Sequence, residues 1–158
     1  MIQQYLQAMI DGLEQKKTIL DKLISLTKAQ QALVDAAKID WDSFDKIVDD
    51  KAELIDTLSK ADDGFTAVFE RIKPELEANK KQYADYIEKL KKGIGEVTEK
   101  STSLMALEQR TKAKVENTFF NEKQKVQKNK VSSKVASSYY ANMNRINYID
   151  PQLMDKKK

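Results

Sequence analysis

The sequence predicts an all-α fold: a long antiparallel helical hairpin plus a third long helix, together a three-helix coiled-coil-like bundle with a projecting C-terminal arm. Charged residues make up 34% of the 158, and aliphatic residues are spaced rather than clustered. Gly and Pro number only four and two, too few for a turn-rich sheet protein. Apolar residues recur at three- and four-residue steps along most of the chain, the spacing that keeps them on one helix face. The length suits a single compact core.

The first helix is expected over residues 2–37. Leu6, Met9, Leu13, Leu20, Leu23 and Val34 form its apolar stripe, which Ile19, Leu26 and Leu33 widen. Lys16, Thr27 and Gln30 interrupt it. Glu14, Lys17, Asp21 and Lys22 belong to its solvated face.

The stretch Ile39-Asp40-Trp41-Asp42-Ser43-Phe44 starts the second helix, folded back on the first. Asp40 is the N-cap, its carboxylate accepting from first-turn N–H groups. Asp42 sits where the helix dipole favours negative charge. Ile39 and Phe44 have the N′ and N4 spacing of a hydrophobic staple. Trp41 and Phe44 plug the end of the apolar seam, the reading preferred over a ligand-binding aromatic pair. The register continues through Val48, Ile55, Leu58, Phe65, Phe69 and Ile72, with Lys51 and Asp62 in two seam positions. Gly64 does not shift it, so the helix is read through. A boundary is expected at Pro74, since Pro suits the first position of a helix and Glu75 and Glu77 follow; a kink in a longer helix is the alternative.

A third helix from Pro74 would use Leu76, Tyr83, Ile87, Leu90, Ile94, Val97, Leu104 and Leu107. Gly93-Ile94-Gly95 lacks the third Gly and preceding strand of a phosphate loop, and reads as a flexible or closely packed point. Residues 74–110 match the hairpin in length. Residues 111–130, with Val115, Phe119, Phe120 and Val126, are then expected to overhang. The charge balance changes sign in the same place. Residues 1–110 hold 17 Lys/Arg and 21 Asp/Glu, and residues 111–158 hold 11 and 4, so an acidic body precedes a basic end. Beyond Lys130 come Ser132, Ser133, Ser137 and Ser138, poor helix-interior residues, then Tyr139, Tyr140, Met143, Tyr148 and Met154. The expected organisation is a body of residues 1–130 and an arm of residues 131–158, mobile until a partner orders it.

Much chemistry is excluded. The chain has no Cys and no His, so thiolate chemistry, disulfides, a Ser-His-Asp triad and the commonest metal ligand are missing. Asp49, Glu53 and Asp56 share a helix face but read as a solvated charge run rather than a metal site. An enzyme is not expected, nor a cofactor, a small-molecule substrate or membrane insertion. Met1-Ile2-Gln3-Gln4-Tyr5 has neither the basic nor the apolar region of a signal peptide, and a cytoplasmic protein is expected.

Two stretches carry a family resemblance. One is residues 33–58, with Asp40-Trp41-Asp42-Ser43-Phe44-Asp45 followed by Lys51, Ile55 and Leu58. The other is Tyr139-Tyr140-Ala141-Asn142-Met143 with Tyr148-Ile149-Asp150-Pro151-Gln152-Leu153-Met154-Asp155 and three closing lysines. The layout resembles the FlgN-type flagellar export chaperones. That resemblance implies a helical chaperone without ATPase activity that binds hook–filament junction proteins and delivers them to the flagellar type III secretion gate. It also implies that the C-terminal segment wraps the client while a nearby tyrosine (Tyr139, Tyr140 or Tyr148) docks on the gate. The partner-binding candidates are Val115, Phe119, Val126, Tyr139, Tyr140, Met143, Tyr148 and Met154. Two other readings stand beside it: a structural coiled coil that self-associates, for instance as a homodimer, and a nucleic-acid binder using the basic end. An acidic body and a single Arg (Arg145) after residue 110 weigh against the second.

Overall fold

The computed structural model describes residues 2–122, with side chains to residue 120. Three helices follow one another: α1 Ile2–Asp35, α2 Trp41–Ala78 and α3 Ala84–Glu122. No strand occurs among the described residues. α1 packs against both of the others. It runs antiparallel to α2 across the turn at residues 36–40 and parallel to α3.

Strict alternation of three- and four-residue steps sets the packing. In α1 the inward positions are Leu6, Met9, Leu13, Lys16, Leu20, Leu23, Thr27, Gln30 and Val34, all buried. In α2 they run Phe44, Val48, Lys51, Ile55, Leu58, Asp62, Phe65, Phe69, Ile72 and Leu76. In α3 they run Leu90, Ile94, Val97, Ser101, Leu104, Glu108, Thr111 and Val115. This 3-4 repeat is the coiled-coil pattern, in which each helix keeps one narrow face on its partners. Full burial of a Leu or Ile contributes about 1.5–3 kcal/mol, and Leu6, Leu20, Leu23, Ile55, Leu58, Leu90, Ile94 and Leu104 are all at 0% exposure.

The expected helix boundary at Pro74 is not there. Pro74 lies inside α2, exposed, and the helix continues to Ala78. Leu76 follows Ile72 by four residues and is buried, so seam packing holds one further turn despite the hydrogen bond that proline cannot donate. The chain then turns at residues 79–83, where the Asn79 backbone N–H donates to Leu76 O at 3.3 Å. Leu76 therefore belongs to α2 and Tyr83 to the turn. The helix does run unbroken through Gly64.

The expected overhang from residue 111 is also corrected, because α3 starts at Ala84, ten residues after Pro74 and so almost three helical turns later. Thr111 and Val115 are buried, and Phe119 is half-buried against α2. Phe120 faces out at 70% exposure. Val126 and the whole of residues 131–158, including Tyr139, Tyr140, Met143, Tyr148 and Met154, lie outside the described residues.

Asp21 is exposed, as expected of the solvated face, and Lys17 is half-buried at its edge; both also tie α1 to α3. Lys17 Nζ is 3.2 Å from Glu96 Oε1, Lys100 Nζ is 2.7 Å from Asp21 Oδ1, and Lys114 Nζ is 3.0 Å from Asp35 Oδ2. Each pair is 79 residues apart, so the two helices hold one parallel register. Hydrogen bonds that the Lys17 ammonium donates to Glu14 and Glu96 raise its pKa despite the opposing effect of burial.

Gly93 marks a close approach of α1 and α3. A Cβ there would lie 2.9 Å from Leu13 Cδ1, whereas one on Gly95 meets nothing within 4 Å. Gly95→Ala is expected to stabilise the protein by up to about 1 kcal/mol, the helix-interior penalty of glycine. Gly93→Val is expected to lower the melting temperature by pushing into Leu13. Thermal denaturation of the two variants checks both signs.

Candidate functional site

The end of the bundle that carries the α1–α2 turn holds a cluster of three aromatic rings. Asp40 caps α2 with φ −86° and ψ 93°. The Ser43 N–H donates to its Oδ1 at 3.1 Å and the Ser43 hydroxyl to its Oδ2 at 2.8 Å. Those bonds hold the Asp40 carboxyl below its ordinary pKa of 3.8. The cap directs Phe44 inward, fully buried, and leaves Trp41 half-buried at the rim. Trp41 and Phe44 meet edge to face at 5.4 Å between centroids. Phe119 of α3 lies 5.3 Å from Trp41 and 5.8 Å from Phe44. With Val34, Val48 and Val115 they close the seam, so the end-plug reading of Trp41 and Phe44 holds, with Phe119 as its third ring.

Asp40→Ala is expected to lower the melting temperature more than Asp63→Ala, because Asp63 is exposed within a continuing helix. The sign with pH follows from the lowered pKa. The cap's contribution is complete above 3.8 and disappears as pH falls from there through the folded value. The gap between wild type and Asp40→Ala should therefore close in acid, as a pH series of melting curves reads directly.

Below the aromatic end lies a buried polar layer. Lys51 Nζ donates to Gln30 Oε1 and to Glu108 Oε1, both at 2.6 Å. Thr27 Oγ1 lies 2.6 Å from Glu108 Oε1 and 2.7 Å from Leu23 O, its one proton serving either acceptor. Thr111 joins the layer, donating to Leu107 O at 2.8 Å. Lys51 and Glu108 are 1% and 2% exposed. Desolvation pulls the Lys51 pKa below 10.5, and the Glu108 charge opposes that. A second buried pair, Lys16 with Asp62, sits deeper, with the Lys16 ammonium 5.6 Å from the Phe65 ring centre. These ions come from all three helices and meet only in this register. Sliding α3 by one heptad would place Ser101 or Val115 opposite Lys51 and leave a buried cation without its carboxylate.

Lys16, Thr27, Gln30, Lys51 and Asp62 are legible as seam positions. Ser101, Glu108 and Thr111 are not, because the aliphatic pattern alone leads from Leu104 to Leu107 and passes over Glu108. Counting four from Leu104, then three, then four reaches Glu108, Thr111 and Val115, and that regular count was the available signal. Of the partner-binding candidates, Val115 and Phe119 come together at the aromatic end, Val115 covered and Phe119 at the rim. Asp49, Glu53 and Asp56 are exposed, Asp56 pairing with Lys60 at 3.1 Å. No helix among the described residues is long and apolar enough to cross a membrane.

A family model described as FlgN protein matches residues 1–125. The match spans all three helices and both polar layers. No curated protein and no solved structure matches the chain.

Proposed function

Because the chain belongs to the FlgN family, a family of flagellar export chaperones, we propose that it binds hook–filament junction proteins in the cytoplasm and delivers them to the flagellar type III secretion gate. The family match over residues 1–125 carries this reading. The proposed organisation is a body of residues 1–130 and a client-binding arm of residues 131–158. Client contact is assigned to Phe119 and Val126 together with Tyr139, Tyr140, Met143, Tyr148 and Met154, and Val115 would contribute where the aromatic end is disturbed. One of Tyr139, Tyr140 and Tyr148 would reach the gate. The work is binding, and it needs no cofactor.

The seam is filled within one chain, with Leu23, Ile55 and Leu104 fully buried, which favours the chaperone reading over self-association through that seam. The basic residues after 110 support a nucleic-acid alternative, which salt distinguishes. Isothermal titration of hook–filament junction proteins into the full chain, and into a chain ending at Lys130, at two salt concentrations tests all three. Truncation is expected to abolish or greatly weaken binding while leaving the body's melting temperature nearly unchanged. Tyr140→Ala should weaken binding more than Lys157→Ala, since a desolvated ring contributes more than an exposed terminal charge. Binding unaffected by truncation would overturn the reading, as would tight nucleic-acid binding that falls steeply with salt through counterion release.

A further inference from the structure

The buried apolar side chains form two separate clusters. The main one reaches Leu23 on α1, Ile55 on α2 and Leu104 on α3. The smaller consists of Val34, Phe44, Val48 and Val115, with Leu33, Trp41 and Phe119 packed against it. Every inward seam position between them is polar: Thr27, Gln30, Lys51, Glu108 and Thr111, none more than 2% exposed. Leu107 is buried at the same level but belongs to neither cluster.

We infer that the aromatic end of the bundle opens as a cooperative unit of its own, parting from the main core at this polar layer. Continuous apolar contact is what makes neighbouring layers open together, since separating them exposes surface that water solvates poorly. Parting at the layer of Lys51, Glu108, Gln30, Thr27 and Thr111 exposes groups that hydrate well, including two charges whose burial is costly. One level deeper, between Leu20 and Leu23, the same separation would expose mainly hydrocarbon and no charge, with the Ser101 hydroxyl the one polar side-chain group in the seam there. The Lys16–Asp62 pair does not act in this way, because apolar residues on both sides of it belong to one cluster. The turn at residues 36–40 keeps α1 and α2 joined, so opening is chiefly a departure of α3 beyond Glu108. The bond holding α3 there, Lys114 to Asp35, lies at the surface and is screened by salt. Opening uncovers Val115 and Phe119. Their use for a client rests on the export-chaperone reading, whereas the opening does not.

Native-state amide hydrogen exchange of the full chain, at rising sub-denaturing urea, tests the inference. Amides in residues 31–35, 44–48 and 112–119 should share one opening with a common, shallow urea slope. Their protection should be at least about 100-fold below that of residues 20–23, 55–58 and 94–104, with a step at the polar layer. The opposite end, around Leu6, Leu76 and Tyr83, is continuous with the main core and should lose protection gradually. Phe119→Ala should deepen the step and leave core protection unchanged. Lys51→Met with Glu108→Leu, which removes both charges of the layer and leaves only Thr27, Gln30 and Thr111 polar, should make the step markedly smaller. A smooth gradient towards the turn, or equal protection and slope in both clusters, overturns the inference. Should the double variant not fold, the wild-type pattern decides alone.

Discussion

Glu108→Leu is expected to cost about 3–5 kcal/mol of stability, the range for removing one partner of a buried ion pair. The carboxylate accepts from Lys51 inside a layer that water does not reach, and Lys51 already has its pKa lowered by desolvation. Without Glu108 the ammonium keeps Gln30 as a neutral acceptor and loses its counter-charge. Its folded pKa should then fall further. Between that value and 10.5 the unfolded chain binds more protons than the folded one, so the variant's stability should rise with pH through that window. The companion change distinguishes a pair from two independent residues. Lys51→Met combined with Glu108→Leu should recover most of the loss, since hydrocarbon of similar volume replaces both charges. Urea denaturation of the two single variants and the double variant completes a double-mutant cycle. Strictly additive losses would show that the two charges do not stabilise one another.

That cycle also bears on what the sequence could say. The helices themselves were legible, because one residue type after another returned at three- and four-residue steps. The Asp40 cap was legible too, since its chemistry is local: a carboxylate two residues before the first-turn Asp42, with Ser43 in reach. Pro74 misled because a local preference competed with tertiary packing. Its ring favours the start of a helix, but burial of Leu76 outweighed the lost hydrogen bond. That single displacement moved the start of α3 to Ala84 and brought Thr111, Val115 and Phe119 back onto the bundle. Glu108 was hidden for a different reason. A Glu in a helix is ordinarily a surface residue, and only the partner Lys51, 57 residues away, makes its burial tolerable. Such a pairing is a property of three helices together, and no window of one helix contains it.

Leu23→Asp should be the most damaging single change in the body, with a loss of at least about 4–5 kcal/mol. Leu23 is at 0% exposure in the main cluster, at the last apolar level of α1 before the polar layer. Two effects add. Removing the Leu side chain forfeits its burial and leaves a cavity, about 2–5 kcal/mol for Leu→Ala. The carboxylate then has to be protonated, hydrated or left unpaired, each at further cost. Lys51 is not a ready partner, because Gln30 and Glu108 already take its ammonium and Thr27 stands between in the seam. Against a total of about 5–15 kcal/mol for a domain of this kind, the variant should be largely unfolded or melt far below wild type. Lys28→Ala, exposed on the same helix, should stay within about 0.5 kcal/mol. Leu23→Ala gives a measurable intermediate if the Asp variant does not fold. Circular dichroism melts of the three order them as Lys28→Ala, Leu23→Ala, Leu23→Asp by increasing loss. Were Leu23→Asp tolerated as well as Lys28→Ala, the 3-4 seam that runs through Leu20, Leu23 and Thr27 could not be the packed face of α1, and the register of all three helices would have to be redrawn.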